Sequence, residues 1–266
     1  MRGAAAAVAL AAVLWAAGVA AASFVVTGAR LDLDADRGVL RAWQVRITDG
    51  RRVVTAPELV LNRAAGVGVL SGGVRATGPE GELRSATARI RFTQTLELVA
   101  VEAEGQAQLS SRDGRLSASR VSVDTRRGVA VAVGSPAVLA AGEVTATGGR
   151  MVYRSREQTA EVGAPATFET RHGAVQGRDA AFDLRTQTAR LAGPVVFRFS
   201  AGLGEARQAL ADFVAGRLEL EGPVRMRWRG STVEGQRAVV WYREGRVVVE
   251  GPSRVRVEEE DLPRIP

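Results

Sequence analysis

The chain has 266 residues and a net charge of +7, from 36 basic and 29 acidic side chains, and inspection finds no lysine among the basic ones. It has no cysteine, which excludes disulfides, thiolate catalysis and cysteine-held metals, and its single histidine, His172, excludes a multi-histidine metal site. Arginine's planar fork of donors suits phosphate and carboxylate groups, but these charges alternate along the whole chain instead of gathering in one arm, so no nucleic-acid partner is expected.

The first element is a hydrophobic helix within residues 1–26. Met1-Arg2 precedes an uncharged, alanine-rich run from Gly3 to Val26. Its length suits a membrane span, for which about 20 apolar residues suffice. Its end suits a cleaved signal peptide, because Ala20-Ala21-Ala22 places small residues before a cut at Ser23. Signal peptide and membrane anchor both remain open, and either one exports the remainder of the chain. A repeat domain is expected over 27–257, and an acidic, proline-containing tail over 258–266, opening with Glu258-Glu259-Glu260-Asp261.

The repeat is carried by five prolines, Pro136, Pro165, Pro194, Pro223 and Pro252, which recur every 29 residues, each preceded by a small residue. Gly73 and Gly105 continue the series upstream with slightly longer spacing. Such fixed-period self-similarity marks stacked supersecondary units. After each proline the chain alternates. Apolar residues occupy the odd positions, as in Val195, Phe197 and Phe199 or Val224, Met226 and Trp228, and arginines such as Arg198, Arg225 and Arg227 stand between them. That is a strand with one apolar and one cationic face.

Hairpin turns are expected at Arg126-Arg127-Gly128, Ser155-Arg156-Glu157 and Glu244-Gly245-Arg246. The aromatic residue before the turn lies 12 residues ahead of the next proline in Tyr153 and Phe182 but 10 ahead in Phe213 and Tyr242, which predicts a change in loop length that leaves the faces unchanged. Residues 205–215 carry helix-favouring composition, yet their repeat keeps its length, so strand is expected there too. Proline cannot donate to a sheet ladder, so each long strand should bend at its Gly-Pro joint, opposite a partner weakened at Gly149, Gly177 or Gly235. The expected fold is all-β: an antiparallel β-jellyroll or "taco" of about seven hairpins of ~29 residues, roughly 14 strands, bent lengthwise around an apolar interior.

This pattern resembles the OstA-like family of lipopolysaccharide-transport periplasmic proteins (the LptA/LptC family), in which a short "A-d-x-l-x-Y-d, turn, G-x-L-x-L-x-G-x-V" unit recurs. Ala56-Pro57-Glu58-Leu59-Val60-Leu61-Asn62 with Gly66, Leu70 and Gly73-Val74 follows it. So does Asp179-Ala180-Ala181-Phe182-Asp183 with Leu191, Gly193 and Val195, and Gly28 to Asp34 with Gly38-Val39-Leu40 is similar to the usual opening. The Tyr-Asp pair itself is not intact in any copy, and Phe182-Asp183 stands in its place in one.

The resemblance implies an open groove for lipid acyl chains, a periplasmic location, end-to-end β-strand addition to other transport proteins, and an inner-membrane tether through residues 3–26 if that segment is kept. No cofactor is implied. The expected groove residues are Leu139, Phe168, Val195, Phe197, Phe199, Val224, Met226, Trp228 and Val255, with Arg198, Arg225, Arg227, Arg254 and Arg256 as rim contacts for lipid phosphate. The same residues suit a dry core beneath a solvated arginine face, so a structural or adhesive envelope protein without a lipid ligand is the alternative.

No enzyme is expected. The carboxylate pairs Asp32/Asp34 and Asp179/Asp183 merely share a strand face, and neither a nucleophile elbow nor a phosphate-binding glycine loop is present. His172, beside Gly173, reads as an exposed turn residue.

Overall fold

Period-two sequence becomes strand when one face can be buried, and nearly every expected strand forms. The computed structural model describes residues 25–48, 52–79, 81–93, 98–111, 114–124, 126–154 and 156–257. The signal or anchor segment up to residue 24 and the acidic tail from 258 lie outside them. Every described element is a strand, and every described pairing is antiparallel. The first described strand begins at Val25.

The chain divides into two units, one holding the described residues up to Gly142 with Arg150–Gln158, the other Glu143–Gly149 with Thr159 onward. The N-terminal unit contains β1 (Val25–Thr27), β2 (Arg30–Asp34), β3 (Val39–Thr48), β4 (Val53–Asn62), β5 (Val67–Ser71), β6 (Val74–Gly78), β7 (Gly81–Ser85), β8 (Thr87–Phe92), β9 (Leu98–Ser111), β10 (Arg115–Asp124) and β11 (Val129–Ala141). β12 (Val144–Arg154) is divided between the units after Gly149. The C-terminal unit continues with β13 (Thr159–Val162), β14 (Ala166–Thr170), β15 (Gly173–Gly177), β16 (Asp179–Asp183), β17 (Thr188–Ala192), β18 (Val195–Phe199), β19 (Gly202–Ala206), β20 (Gln208–Asp212), β21 (Arg217–Trp228), β22 (Ser231–Trp241), β23 (Arg246–Glu250) and β24 (Arg254–Arg256).

These 24 segments trace sixteen passes, since eight passes are split at a joint into two short strands and eight run on as one. That is two passes more than the expected 14, and in the early copies the joint of β4 carries Pro57, outside the 29-residue proline series. Each pass gives one arm to each of two ladders. In the N-terminal unit, β4 pairs β5 through Glu58–Asn62 and β6 through Val53–Thr55. In the C-terminal unit, the register of β21 with β22 breaks between Glu221 and Val224, at Gly222-Pro223.

All five prolines of the series stand at such joints, and residues 205–215 form β19, β20 and the start of a turn. Neighbouring joints are tied to each other: the amide of Arg178 donates to the carbonyl of Ala192 at 3.0 Å, that of Arg207 to Glu221 at 3.1 Å and that of Ala86 to Glu104 at 3.0 Å. Paired strands therefore bend at one level. Gly222 sits at φ 91°, a left-handed conformation that side chains resist, so the joint favours glycine.

At the turns, an Asp or Asn side chain closes the hairpin. Asp34 Oδ1 accepts from the amide of Arg37, Asn62 Oδ1 from Ala65, Asp124 Oδ1 from Arg127 and Asp212 Oδ1 from Ala215, at 2.8–3.0 Å. Asp183 accepts from both Arg185 and Thr186, and the Thr186 amide is the main cause holding its carboxyl below the usual range.

The expected drift in loop length does not occur. The turns at 184–187 and 213–216 have equal length, and the aromatic residue instead moves between two inward positions two residues apart, Phe182 in the strand and Phe213 in the turn, both buried. Leu184 fills the inward turn position in the copy where Phe182 takes the other. The two units are filled differently: Ala42, Leu59, Ala103 and Ala107 typify the buried aliphatic interior of the N-terminal unit, whereas Phe168, Phe182, Phe197 and Phe213 fill the C-terminal one.

Candidate functional site: an apolar seam in the C-terminal unit

Register decides which side chains meet. Across the ladder that runs through the start of β12, β14, β15, β18 and β19, Ala146 lies opposite Phe168, Phe168 opposite Val175, and Val175 opposite Phe197. Phe197 lies opposite Gly204, Gly204 opposite Met226, Met226 opposite Val233, and Val233 opposite Val255. The third residue after each of four successive prolines thus falls on one continuous cross-strand row, with a smaller residue on each strand between. Beside it runs a second row, Phe199, Gly202 and Trp228.

Eight of the nine expected groove residues are buried at 0–7 % exposure: Leu139, Phe168, Val195, Phe197, Phe199, Val224, Met226 and Trp228. Leu139 belongs to the N-terminal unit, and the other eight expected residues to the C-terminal one. Val255 departs from the interior placement. It shares the row of Val233 but is 57 % exposed, because β24 pairs only with β22 and no described strand covers its other side.

The opposing ladder supplies residues that periodicity alone did not single out as lining. Phe182 and Phe213 approach Phe168 at ring-centroid distances of 5.4 and 5.6 Å. Tyr242 stacks on Phe199 at 4.5 Å and nearly parallel. Their signal was present as the aromatic residue ahead of each turn. The two ladders of this unit therefore meet face to face, and the seam is closed.

At the lips of the seam, the turn of 242–245 meets the ends of the facing ladder. Trp228 Nε1–H donates to the carbonyl of Gly245 at 3.3 Å. Arg243 donates to the carbonyls of Phe213 at 2.8 Å and Val214 at 3.1 Å, and reaches Glu143 at 3.5 Å. His172, expected as an exposed turn residue, is instead half-buried, its ring 6.0 Å from that of Tyr242. Desolvation pushes the Tyr242 phenol above its ordinary range, so it is a protonated hydroxyl near neutral pH.

The five expected rim arginines stand on the opposite, outward face. Arg198, Leu203, Arg227, Thr232 and Arg256 form one outward row, and Glu205, Arg225, Glu234 and Arg254 another. Arg225 is within 4.0 Å of Glu234. Three of the four carboxylates in the two aspartate pairs are engaged structurally: Asp34 and Asp183 close turns, and Asp179 accepts from Arg178 at 3.1 Å. Among the described residues, no group of three or more acidic or histidine side chains is arranged to hold a metal ion, and no helix is long and apolar enough to cross a membrane.

No family model matches the chain, and no curated protein matches it. Among solved structures it is similar to LptH, described as the LptA homologous periplasmic component of the conserved lipopolysaccharide transport device from Pseudomonas aeruginosa. The two share 13% identity over 64% of this chain and 82% of that one, with a TM-score of 0.24. So low a score carries no argument about the seam.

Proposed function

We propose that the chain is a periplasmic lipid-binding bridge component that shields the acyl chains of lipopolysaccharide, or of a similar glycolipid, on the way to the outer membrane. The observation that carries this reading is the continuous inward row from Phe168 through Phe197 and Met226 to Val255, which ends in an exposed apolar residue at a free strand edge. The family-like repeat units in the sequence support it.

The physics is transfer free energy. Each CH₂ taken out of water gains ~0.8 kcal/mol, so an acyl chain left bare costs on the order of 10 kcal/mol. A seam that parts to admit the chain replaces side-chain contacts with acyl contacts of the same kind. Across the lips, the Trp228–Gly245 and Arg243–Glu143 contacts are polar, at 3.3 and 3.5 Å, and each is worth about 1 kcal/mol or less. The bend at each Gly-Pro joint serves as the spine of a β-taco.

Protomers or partner transport proteins join by strand addition. At the start of the body, Leu31 and Leu33 of β2 are 51 % and 69 % exposed, and at its end Val255 and Val257 are 57 % and 53 % exposed, all beside strands with one described partner. Exposed edges of this kind template further pairing. Lipid is moved by an energy source outside this chain, which needs no cofactor of its own.

The second reading, a structural envelope protein with a dry core, is favoured by the close burial of the seam. Mass spectrometry of lipid released from the natively purified protein separates the two. Bound acylated, phosphorylated glycolipid is expected. Folded protein that repeatedly yields no lipid supports the dry core instead.

A further inference from the structure

Tyr242 is a seam residue whose chemistry the packing does not require. It lies in the turn of 242–245, 3 % exposed, and its hydroxyl oxygen is buried without a hydrogen-bond partner. One and two repeat units earlier the same inward position holds Phe213 and Leu184, both 4 % exposed, so an apolar side chain fills it well. Burying an unpartnered hydroxyl is unfavourable, and phenylalanine would avoid that. The ring itself is fixed, stacked on Phe199 at 4.5 Å with His172 at 6.0 Å on another side. The phenol is within electrostatic reach of Arg243, Asp212 and Glu143, and Arg243 and Glu143 meet at the lips of the seam.

Resting on the lipid reading above, we infer that the Tyr242 hydroxyl is a recognition group for the carbonyl that joins an acyl chain to its headgroup. An acyl lipid is apolar along its chain and has its first strong hydrogen-bond acceptor at the ester or amide carbonyl. A chain lying in the seam with its headgroup outside brings that carbonyl to the lip. The phenol O–H donates to the carbonyl oxygen, while Phe199 and Trp228 flank the first methylenes. A plain hydrocarbon or an ether-linked chain leaves the hydroxyl unpartnered and is bound less well. The site thereby distinguishes acylated lipids from other apolar molecules that fit the same seam.

The test compares two probes that differ in the carbonyl alone: 1-tetradecanoyl lysophosphatidylglycerol and its 1-tetradecyl ether counterpart, titrated below their critical micelle concentrations by calorimetry. The full chain as purified, freed of endogenous lipid, is expected to bind the ester about fivefold more tightly than the ether, the equivalent of one hydrogen bond. In Tyr242→Phe that ratio falls to about one, while the thermal midpoint of the lipid-free protein is unchanged or higher. Equal affinity for ester and ether in the unaltered protein, or a ratio that survives in Tyr242→Phe, overturns the assignment of the hydroxyl and leaves lipid binding standing. Failure to bind either probe overturns the lipid reading together with it.

Discussion

Replacing Phe168 with alanine is expected to cost the C-terminal unit about 3–5 kcal/mol, read as a lowered midpoint in urea with an unchanged slope. Phe168 is 0 % exposed and faces Phe182 and Phe213 from the opposite ladder at 5.4 and 5.6 Å. Truncation removes the transfer free energy of the ring, leaves a cavity between two ladders held at their joints, and breaks aromatic pairs worth roughly 0.5–1.5 kcal/mol each. Because the joints tie neighbouring passes together, the ladders cannot simply collapse into the void. A loss under about 1 kcal/mol would mean that the seam already contains room, contrary to the close meeting of these three rings.

The second large effect is opposite in kind. Gly204 lies between Phe197 and Met226 on the inward row. A Cβ at that position would come within 2.5 Å of the Arg225 carbonyl oxygen, 2.6 Å of Met226 Cβ and 2.7 Å of Phe197 Cζ. Two of those three atoms belong to backbone or its first side-chain carbon, so relief requires β19 to move away from β21. Gly204→Val is therefore expected to cost about 3 kcal/mol through overpacking and to weaken the β19–β21 pairing locally. Hydrogen exchange at Leu203 and Glu205 would report that loss. Protection equal to that of the unaltered protein would contradict the close packing around Gly204. Glycine here is required by space: its φ is not in the left-handed region, whereas at Gly222 the backbone itself requires it.

The repeat and its bends were legible because proline forbids a ladder hydrogen bond, so its 29-residue recurrence marked five joints, while Pro57 at the joint of β4 stands outside that series. The earliest joints were harder to see. At Gln44, φ is 50°, a left-handed conformation in a residue that gives no punctuation signal, and at Ala86 the bend is marked by its hydrogen bonds alone. The strands within 205–215 were legible from repeat length despite composition that favours helix, because tertiary pairing of β19 with β18 and β21, and of β20 with β17 and β21, overrides local propensity.

The seam was half legible. Period two placed Phe197, Met226 and Trp228 inward and Arg198, Arg225 and Arg227 outward, as the burial alternation has it. It could not say whether the inward row faces a groove or another ladder, since both require the same pattern. The contacts of Phe168 with Phe182 and of Phe199 with Tyr242 are set by how sharply the joints bend, a three-dimensional quantity that alternation does not encode. Nor does alternation reveal an end effect. Val255 obeys the inward pattern yet stays exposed because the stack stops beside it. The carboxylates had a structural explanation in the sequence itself, an Asp or Asn four residues before a Gly or Gln, as in Asp34 and Gly38 or Asp183 and Gln187, which is the spacing of a side-chain-closed turn.

The central claim is that the inward row touches acyl chains in the living cell. Photo-crosslinking residues placed at Phe197 and at Met226 test it most directly. Irradiated cells should yield a lipid adduct at both positions, and a crosslinker at the outward Val196, 52 % exposed, should yield none. Normally folded protein with no lipid adduct at Phe197 or Met226 would mean that the ladders close on each other permanently, and that the seam is a core and nothing more.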